Sequence, residues 1–99
     1  MSYGYIYDPI ALVEYKDAIV WYNERSEVAA ENFVSAIKEK LNEICKDPAR
    51  YRNLFKNFRE TSLKKFPYYI VYIIDESNNT IVVTSVYHHK RNPKKKYLK

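Results

Sequence analysis

The chain has very little glycine and cysteine and no long apolar run. Gly4 is the single glycine among 99 residues, which excludes a glycine-rich phosphate-binding loop. Cys45 is the single cysteine, so no internal disulfide can form, and this usage favours a reducing cytosol. No apolar stretch approaches the ~20 residues of a membrane span, and the first residues lack the pattern of a signal peptide. We therefore expect a cytoplasmic protein with no membrane segment.

Groups that bind metals or act as nucleophiles are equally scarce. His88 and His89 are the two histidines, and no cluster of cysteines or carboxylates lies near them in the sequence, so they make a poor metal site. Cys45 falls at apolar helical spacing, which argues against a cysteine nucleophile. We expect neither a metal nor a cofactor.

Charge is distributed unevenly along the chain, whose net charge is +5. Residues 1–49 carry five basic and nine acidic side chains, a net charge of −4. Residues 50–99 carry twelve basic and three acidic side chains, a net charge of +9. Such asymmetry favours a surface for a polyanion or for an acidic protein segment. The alternative is a basic tail that serves only solubility.

Two helices are predicted in the first half of the chain. Asp8 caps the first helix with Pro9 at its first position, and Ser26 caps the second, which ends before Pro48. The apolar positions recur at spacings of three and four. They are Ala11, Leu12, Tyr15, Ala18, Ile19 and Tyr22, then Ala30, Phe33, Ile37, Leu41 and Ile44. Three apolar residues lie off the first stripe, and we expect a neighbouring helix or a partner protein to cover them: Val13, Val20 and Trp21.

Four strands are predicted around these helices, at residues 3–7, 58–66, 68–75 and 80–87. Residues 48–57 read as a basic, aromatic connection, and the polar turn at 76–79 joins the last two strands in a hairpin. The order β-α-α-β-β-β predicts one α+β domain over residues 1–99. Its antiparallel sheet carries a helical hairpin on one face and the first strand at an edge. A basic tail begins at about residue 92.

Several motifs stand at particular places in this order. Asp8-Pro9 opens the first helix, and Arg59 stands seven residues before the run FPYYIVY at 66–72. His88-x-x-Arg91-x-Pro93 follows the last strand. Together, over nearly the whole chain, these features resemble the RelE/ParE superfamily, the toxins of bacterial type II toxin-antitoxin systems.

The resemblance implies a small cytoplasmic toxin, of the kind found in plasmid stabilization, that a cognate antitoxin protein neutralises. RelE-like members enter the ribosome and cut mRNA, whereas ParE-like members inhibit DNA gyrase and are not nucleases. A ribosome-dependent endoribonuclease is the leading expectation, and non-enzymatic inhibition of gyrase is the alternative. A basic binding module without toxicity is the third. Both a homodimer and a toxin-antitoxin hetero-oligomer remain open.

The chemistry of RNA cleavage selects the candidate site residues. The 2′-OH must lose a proton, the charge on the phosphorane must be stabilised, and the leaving oxygen must be protonated. Fixed cations meet the second need, a neutral histidine meets the first or third, and an aromatic ring can stack on a base. The candidate catalytic residues are Arg59, Lys64, His89, Arg91 and Tyr97. The candidate RNA-binding residues are Lys65, His88, Lys90, Lys94 and Lys95.

Matching positions to RelE-like nucleases implies roles for some of these residues. Lys64 stands where those nucleases carry a catalytic arginine, His89 where they carry arginine or histidine, and Tyr97 near their C-terminal tyrosine. Residues around Arg59-Glu60-Thr61 replace an expected lysine pair. The structural alternatives are a hydrogen-bonded histidine at 88, a cross-strand partner for Arg59, and a packing role for the arginine at 91.

Overall fold

A computed structural model describes residues 3–90, in which two helices pack on one face of a five-stranded sheet. The sheet order is β1-β5-β4-β3-β2, with β1 parallel to β5 and every other pair antiparallel. This confirms the α+β class, the antiparallel meander and the edge position of the first strand. The strands are β1 (Gly4–Tyr7), β2 (Arg52–Phe55), β3 (Phe58–Ser62), β4 (Tyr68–Asp75) and β5 (Thr80–His88), and the helices are α1 (Pro9–Asn23) and α2 (Glu27–Lys46).

Local capping sets the helix boundaries, as predicted. The Asp8 carboxylate accepts a hydrogen bond from the Ala11 N–H at 2.9 Å, and Pro9 occupies the first helical position. The Ser26 hydroxyl accepts from the Ala29 N–H at 3.2 Å. The second helix ends at Lys46, and a short 3-10 turn, Pro48–Arg50, follows it. No helix in residues 3–90 is long and apolar enough to cross a membrane.

The core lies between the helices and the sheet face that they cover, here called the inner face. Side chains alternate along each strand, so every second residue points to the opposite, outer face. The largest fully buried core side chains come from α2 and from both long strands; among them are Phe33, Ile37, Leu41, Ile44, Ile70, Tyr72, Ile81 and Val83. The outer face has buried residues of its own, among them Glu60, Val71 and Tyr87.

The sheet contains one strand more than the sequence pattern predicted. Residues 52–55 pair with β3 and form an edge strand inside the segment that we expected to be a connection. A tight turn at Lys56 and Asn57 joins the two strands, and the backbone of Lys56 takes a positive φ of 51°. The Asn53 side chain donates to the Lys56 carbonyl at 3.0 Å. The usual glycine signal of such a turn is missing, which is why the pattern did not reveal it.

The strand predicted over residues 58–66 ends at Ser62. Leu63 is buried in the core and its N–H donates to the Tyr68 carbonyl at 3.0 Å. The chain then turns, and the Tyr68 N–H donates to the Phe66 carbonyl at 2.8 Å. Pro67 cannot donate a ladder hydrogen bond, so regular pairing cannot run through this segment.

The hairpin between β4 and β5 follows its predicted turn. Asp75 accepts hydrogen bonds from the Asn78 amide at 2.9 Å and from the Ser77 hydroxyl at 2.9 Å. These hydrogen bonds, led by that from Asn78, hold the pKa of Asp75 below its ordinary value. Asn79 adopts the left-handed conformation with φ of 53°, the role for which asparagine suits a turn.

Burial on α1 differs from the predicted stripe. Leu12 was expected in the core but is exposed, whereas Ala11 and Ala18 are buried. Small alanines let the helix lie close to the sheet, so only a narrow stripe is covered. Val13 and Val20 are 59% and 56% exposed, so no neighbouring helix within residues 3–90 covers them. The partner protein remains the open alternative.

Glu14 on α1 covers the edge of β5 where β1 has ended. β1 pairs with β5 only as far as Val83. Beyond it, one Glu14 carboxylate oxygen accepts from the Ser85 hydroxyl and from the Val86 N–H, both at 2.9 Å. An exposed strand edge carries free backbone donors, and this carboxylate satisfies one of them. The contact ties α1 to the part of β5 that leads into the two histidines.

Candidate functional site

One end of the sheet brings together the β3–β4 connection and the end of β5. Tyr68 pairs with His88 across the hairpin, and the His89 N–H donates to the Pro67 carbonyl at 2.8 Å. Lys64 and Lys65 belong to the connection that ends at Pro67, and Lys90 follows the histidines. This end of the sheet therefore gathers five predicted site residues: Lys64, Lys65, His88, His89 and Lys90.

His89 lies over the outer face on a stack of aromatic rings. Its ring centroid is 4.2 Å from that of Tyr69, with an angle of 37° between the planes. Tyr69 in turn stacks on Tyr87 at 5.2 Å and 30°. His89 itself is exposed, so the stack supports an accessible imidazole at the rim of the sheet.

His88 lies on the inner side of the sheet, opposite to His89, and its contacts are with neighbouring groups of the protein. It is half-buried, and its ring meets the ring of Tyr68 edge-on at 5.3 Å. Its Nδ1 atom accepts a hydrogen bond from the Lys90 N–H at 3.1 Å. These contacts fit the alternative of a histidine hydrogen-bonded to backbone at a strand end. Any contact of His88 with RNA stays a prediction.

Arg59 is separated from His89 by the sheet. It pairs with Tyr72, whose side chain is in the core, so Arg59 also lies on the inner side. Its guanidinium donates to the Ala49 and Tyr51 carbonyls at 3.0 and 2.7 Å, and the Tyr72 hydroxyl donates to the Pro48 carbonyl at 2.6 Å. Burial raises the pKa of Tyr72 above its ordinary value, against the opposing effect of Arg59. The two side chains hold the segment after α2 in place.

Lys64 and Lys65 line a groove between α2 and the β3–β4 connection. Its volume is about 390 Å³, and its apolar lining residues are Ala36, Leu63 and Phe66. Three charged residues of α2 also line it: Glu39, Lys40 and Glu43. The Lys40 ammonium lies 3.3 Å from the Glu43 carboxylate. The two lysines thus share the sheet end with His89 but border a different surface.

A buried pair of polar groups lies beneath the outer face, and sequence reasoning did not find it. The Tyr87 hydroxyl donates to a Glu60 carboxylate oxygen at 2.5 Å, and both side chains are less than a tenth exposed. Glu60 and Tyr87 are on different strands with β4 between them. Only the strand register brings them together, so no local pattern in the sequence could signal the pair.

The remaining candidates Arg91, Lys94, Lys95 and Tyr97 lie outside the described residues. Their roles stay predictions made from the sequence. Within residues 3–90, no group of three or more His, Cys, Asp or Glu side chains is arranged to hold a metal ion.

The contacts of Arg59 predict a role in stability. Replacing Arg59 with alanine should lower the free energy of unfolding by about 1–2 kcal/mol, because two charged hydrogen bonds to backbone carbonyls are lost. Urea unfolding followed by circular dichroism measures the change. Arg52→Ala, at an exposed position on the neighbouring strand, is the matched control and should change stability by less than about 0.5 kcal/mol. Equal effects of the two substitutions would contradict the structural role.

Comparison with known proteins places the chain among toxins. Residues 5–93 match the family model described as ParE toxin of type II toxin-antitoxin system, parDE. No curated protein matches significantly. The structure is similar to the isolated E. coli RelE toxin, with a TM-score of 0.63 and 21% identity over 95% of this chain and 92% of that one.

Two complexes of known structure are also similar. The match to the intact E. coli RelBE toxin-antitoxin complex has a TM-score of 0.63 and 22% identity, covering 91% of this chain and 100% of that chain. The RelBE2 complex from Mycobacterium tuberculosis matches with a TM-score of 0.61 and 14% identity, over 89% and 99% of the two chains. At such identities these likenesses describe the fold.

Proposed function

Because the chain belongs to the ParE toxin family of type II toxin-antitoxin systems, we propose that it arrests growth by binding DNA gyrase and not by cutting RNA. The protein is a RelE/ParE-like toxin, and its partner is a cognate antitoxin protein. The proposal concerns the target on which the free toxin acts. From the sequence, the endoribonuclease was the leading expectation and inhibition of gyrase was the alternative; the proposal places inhibition of gyrase first.

The observation that carries the proposal is the placement of Arg59. Cleavage of RNA needs a cation at the phosphate beside a group that transfers a proton. Arg59 lies on the inner side of the sheet with its guanidinium engaged by two backbone carbonyls, whereas His89 lies over the outer face. Arg59 and His89 therefore cannot act on the same phosphate. Inhibition of gyrase by binding alone does not need such a catalytic pair.

The outer rim is suited to contact with a protein. Tyr69 and His89 offer a rigid, half-exposed aromatic surface, and tyrosine is enriched among the residues that dominate protein interfaces. Two exposed lysines at the same end of the sheet, Lys65 and Lys90, add positive potential that speeds association with an acidic partner.

A ribosome-dependent endoribonuclease is the second candidate, and one observation favours it. Lys64, Lys65, His89 and Lys90 gather at one end of the sheet, as a phosphate-binding site would require. The lysines in this arrangement would bind the mRNA backbone, and His89 would transfer a proton.

Induced expression in a bacterium tests the two activities in one culture. We expect growth arrest, relaxed plasmid DNA and no new transcript 5′ ends, and we expect the purified toxin to inhibit supercoiling by purified gyrase. New 5′ ends inside translated reading frames with unchanged plasmid supercoiling would overturn the proposal in favour of the endoribonuclease. Co-expression of the cognate antitoxin should abolish either effect.

The variant His89→Ala separates the two mechanisms further. General acid-base catalysis contributes about 10²–10⁴-fold, so a nuclease would lose that much activity with the variant. A gyrase inhibitor would lose one contact, about tenfold or less in inhibitory concentration. The control is Lys38→Ala, because Lys38 is exposed on α2; this substitution should leave toxicity unchanged.

A further inference from the structure

Four side chains on the outer face form a continuous series of contacts from the interior of the protein to the rim of the sheet. The Tyr87 hydroxyl donates to the Glu60 carboxylate, and the Tyr87 ring stacks on the Tyr69 ring. The His89 ring in turn lies 4.2 Å from the Tyr69 ring, measured between centroids. Glu60 and Tyr87 are both less than a tenth exposed. Tyr69 is half-buried and His89 is exposed, so the series has a buried end and an accessible end.

The hydrogen bond at the buried end is directional and spans a strand. Glu60 on β3 pairs with Val71 on β4, whereas Tyr87 lies on β5. The Tyr87 hydroxyl therefore reaches the carboxylate across β4. A hydrogen bond of this geometry selects one rotamer of the tyrosine and one direction of its ring. Since Tyr69 stacks on that ring, the placement of Tyr69 depends on the hydrogen bond as well.

Stability alone does not account for a buried carboxylate at this place. Removal of a charge from water is costly, and an apolar pair of similar volume often stabilises a protein as well as a buried polar pair does. An apolar pair would leave the aromatic ring free to take more than one rotamer, whereas a satisfied polar pair fixes it. The pair of Glu60 and Tyr87 therefore suits a role in which the direction of the ring matters.

We propose that Glu60 and Tyr87 are positioning residues, which act through Tyr69 to set the direction in which His89 is presented to the target. This inference rests on the proposed function, in which Tyr69 and His89 form the surface that contacts gyrase. Glu60 and Tyr87 do not touch the target themselves, because both are buried. They order the imidazole before association, which removes part of the cost of binding.

Nuclear magnetic resonance of the histidine ring protons tests the positioning without any target. The ring current of Tyr69 shifts the His89 signals away from those of a free histidine, because the two rings are close. Tyr87→Phe removes the hydroxyl and keeps the ring, so the His89 signals should move toward the free values. His88 is the internal control, since it lies on the inner side against Tyr68 and its signals should stay unchanged. Unchanged His89 signals in Tyr87→Phe would overturn the proposal.

Two substitutions of Glu60 test the hydrogen bond itself. Glu60→Ala removes the acceptor and should move the His89 signals as far as Tyr87→Phe does. Glu60→Gln keeps a carbonyl oxygen that can accept from the hydroxyl, so its His89 signals should stay closer to those of the wild type. Circular dichroism checks that each variant is folded. Equal shifts in the alanine and glutamine variants would contradict the hydrogen bond as the cause.

Inhibition of purified gyrase tests whether the positioning serves the target. Tyr87→Phe should raise the inhibitory concentration of folded protein by about two- to tenfold, which corresponds to the cost of ordering one or two side chains on binding. Tyr5→Phe removes a hydroxyl from a half-buried tyrosine on β1; it is the matched control and should leave the inhibitory concentration unchanged. In the His89→Ala background, Tyr87→Phe should have no further effect, because the group that it positions is absent.

The two backgrounds separate positioning from a merely structural role. An equal loss of inhibition from Tyr87→Phe in the wild type and in His89→Ala would show that the hydroxyl only stabilises the fold, and the proposal would be wrong. Failure of the proposed function is a different result, since the wild-type chain would then leave supercoiling unchanged. In that case the His89 signals of the variants still decide whether Glu60 and Tyr87 position the imidazole.

Discussion

Replacement of Phe33 with alanine should lower the free energy of unfolding by about 3–5 kcal/mol. Phe33 is fully buried on α2, and its ring centroid lies 5.1 Å from that of Tyr22, 5.2 Å from that of Tyr68 and 5.4 Å from that of Phe66. The substitution removes apolar area and leaves a cavity among rings that cannot easily close it. Since a domain of this size is stable by about 5–15 kcal/mol, the loss is a large part of the total.

Urea unfolding followed by tyrosine fluorescence and circular dichroism measures this loss. Phe55→Ala is the matched control, because it makes the same chemical change at a position that is 47% exposed. Its effect should stay below about 1 kcal/mol. Similar losses from the two substitutions would show that the aromatic cluster around Phe33 does not determine stability.

Replacement of Tyr87 with phenylalanine should cost about 2–3 kcal/mol of stability. The change removes the hydroxyl that donates to the Glu60 carboxylate while it keeps the ring that stacks on Tyr69. Glu60 is only 7% exposed, so the lost hydrogen bond is not readily replaced by bulk water. A hydrogen bond to a buried charged group is worth more than one between neutral groups.

A double-mutant cycle with Glu60→Gln isolates the contribution of this pair. The coupling energy should be about 1–3 kcal/mol, the range expected for residues in direct contact. Tyr5→Phe, a half-buried tyrosine on β1, is the control for loss of a hydroxyl and should change stability by less than about 0.5 kcal/mol. A coupling energy near zero would mean that the hydrogen bond does not stabilise the outer face.

The helix ends, the meander and the edge position of β1 could all be predicted from the sequence. Capping by Asp8 and Ser26 depends on side chains that reach backbone groups three residues away, so it is visible in a short window. The turn before Asn79 likewise depends on side chains within a few residues of one another. The strand at residues 52–55 escaped prediction because its turn places a lysine, Lys56, in the left-handed region that usually signals itself through glycine.

The candidate site was predictable only where its residues are neighbours in the chain or across the hairpin. His88, His89 and Lys90 follow one strand, and the hairpin register brings them to the connection that carries Lys64 and Lys65. From the sequence, Arg59 is a catalytic candidate together with Lys64 and His89. Its position at β3 opposite Tyr72 instead turns the side chain toward the helices, where the carbonyls after α2 bind it. A shift of one residue in register would have placed it on the outer face.

By itself the sequence determined the class of fold, the helix boundaries and membership of a toxin superfamily, because capping, periodicity and short motifs act within a few residues. Tertiary structure alone decided which side chains meet across strands. Arg59 binds backbone on the inner side, Glu60 binds Tyr87 beneath the outer face, and the apolar face of α1 is left uncovered within residues 3–90. Those outcomes depend on strand register and on the small alanines that set α1 close to the sheet, and contacts between residues far apart in the chain have no local signature.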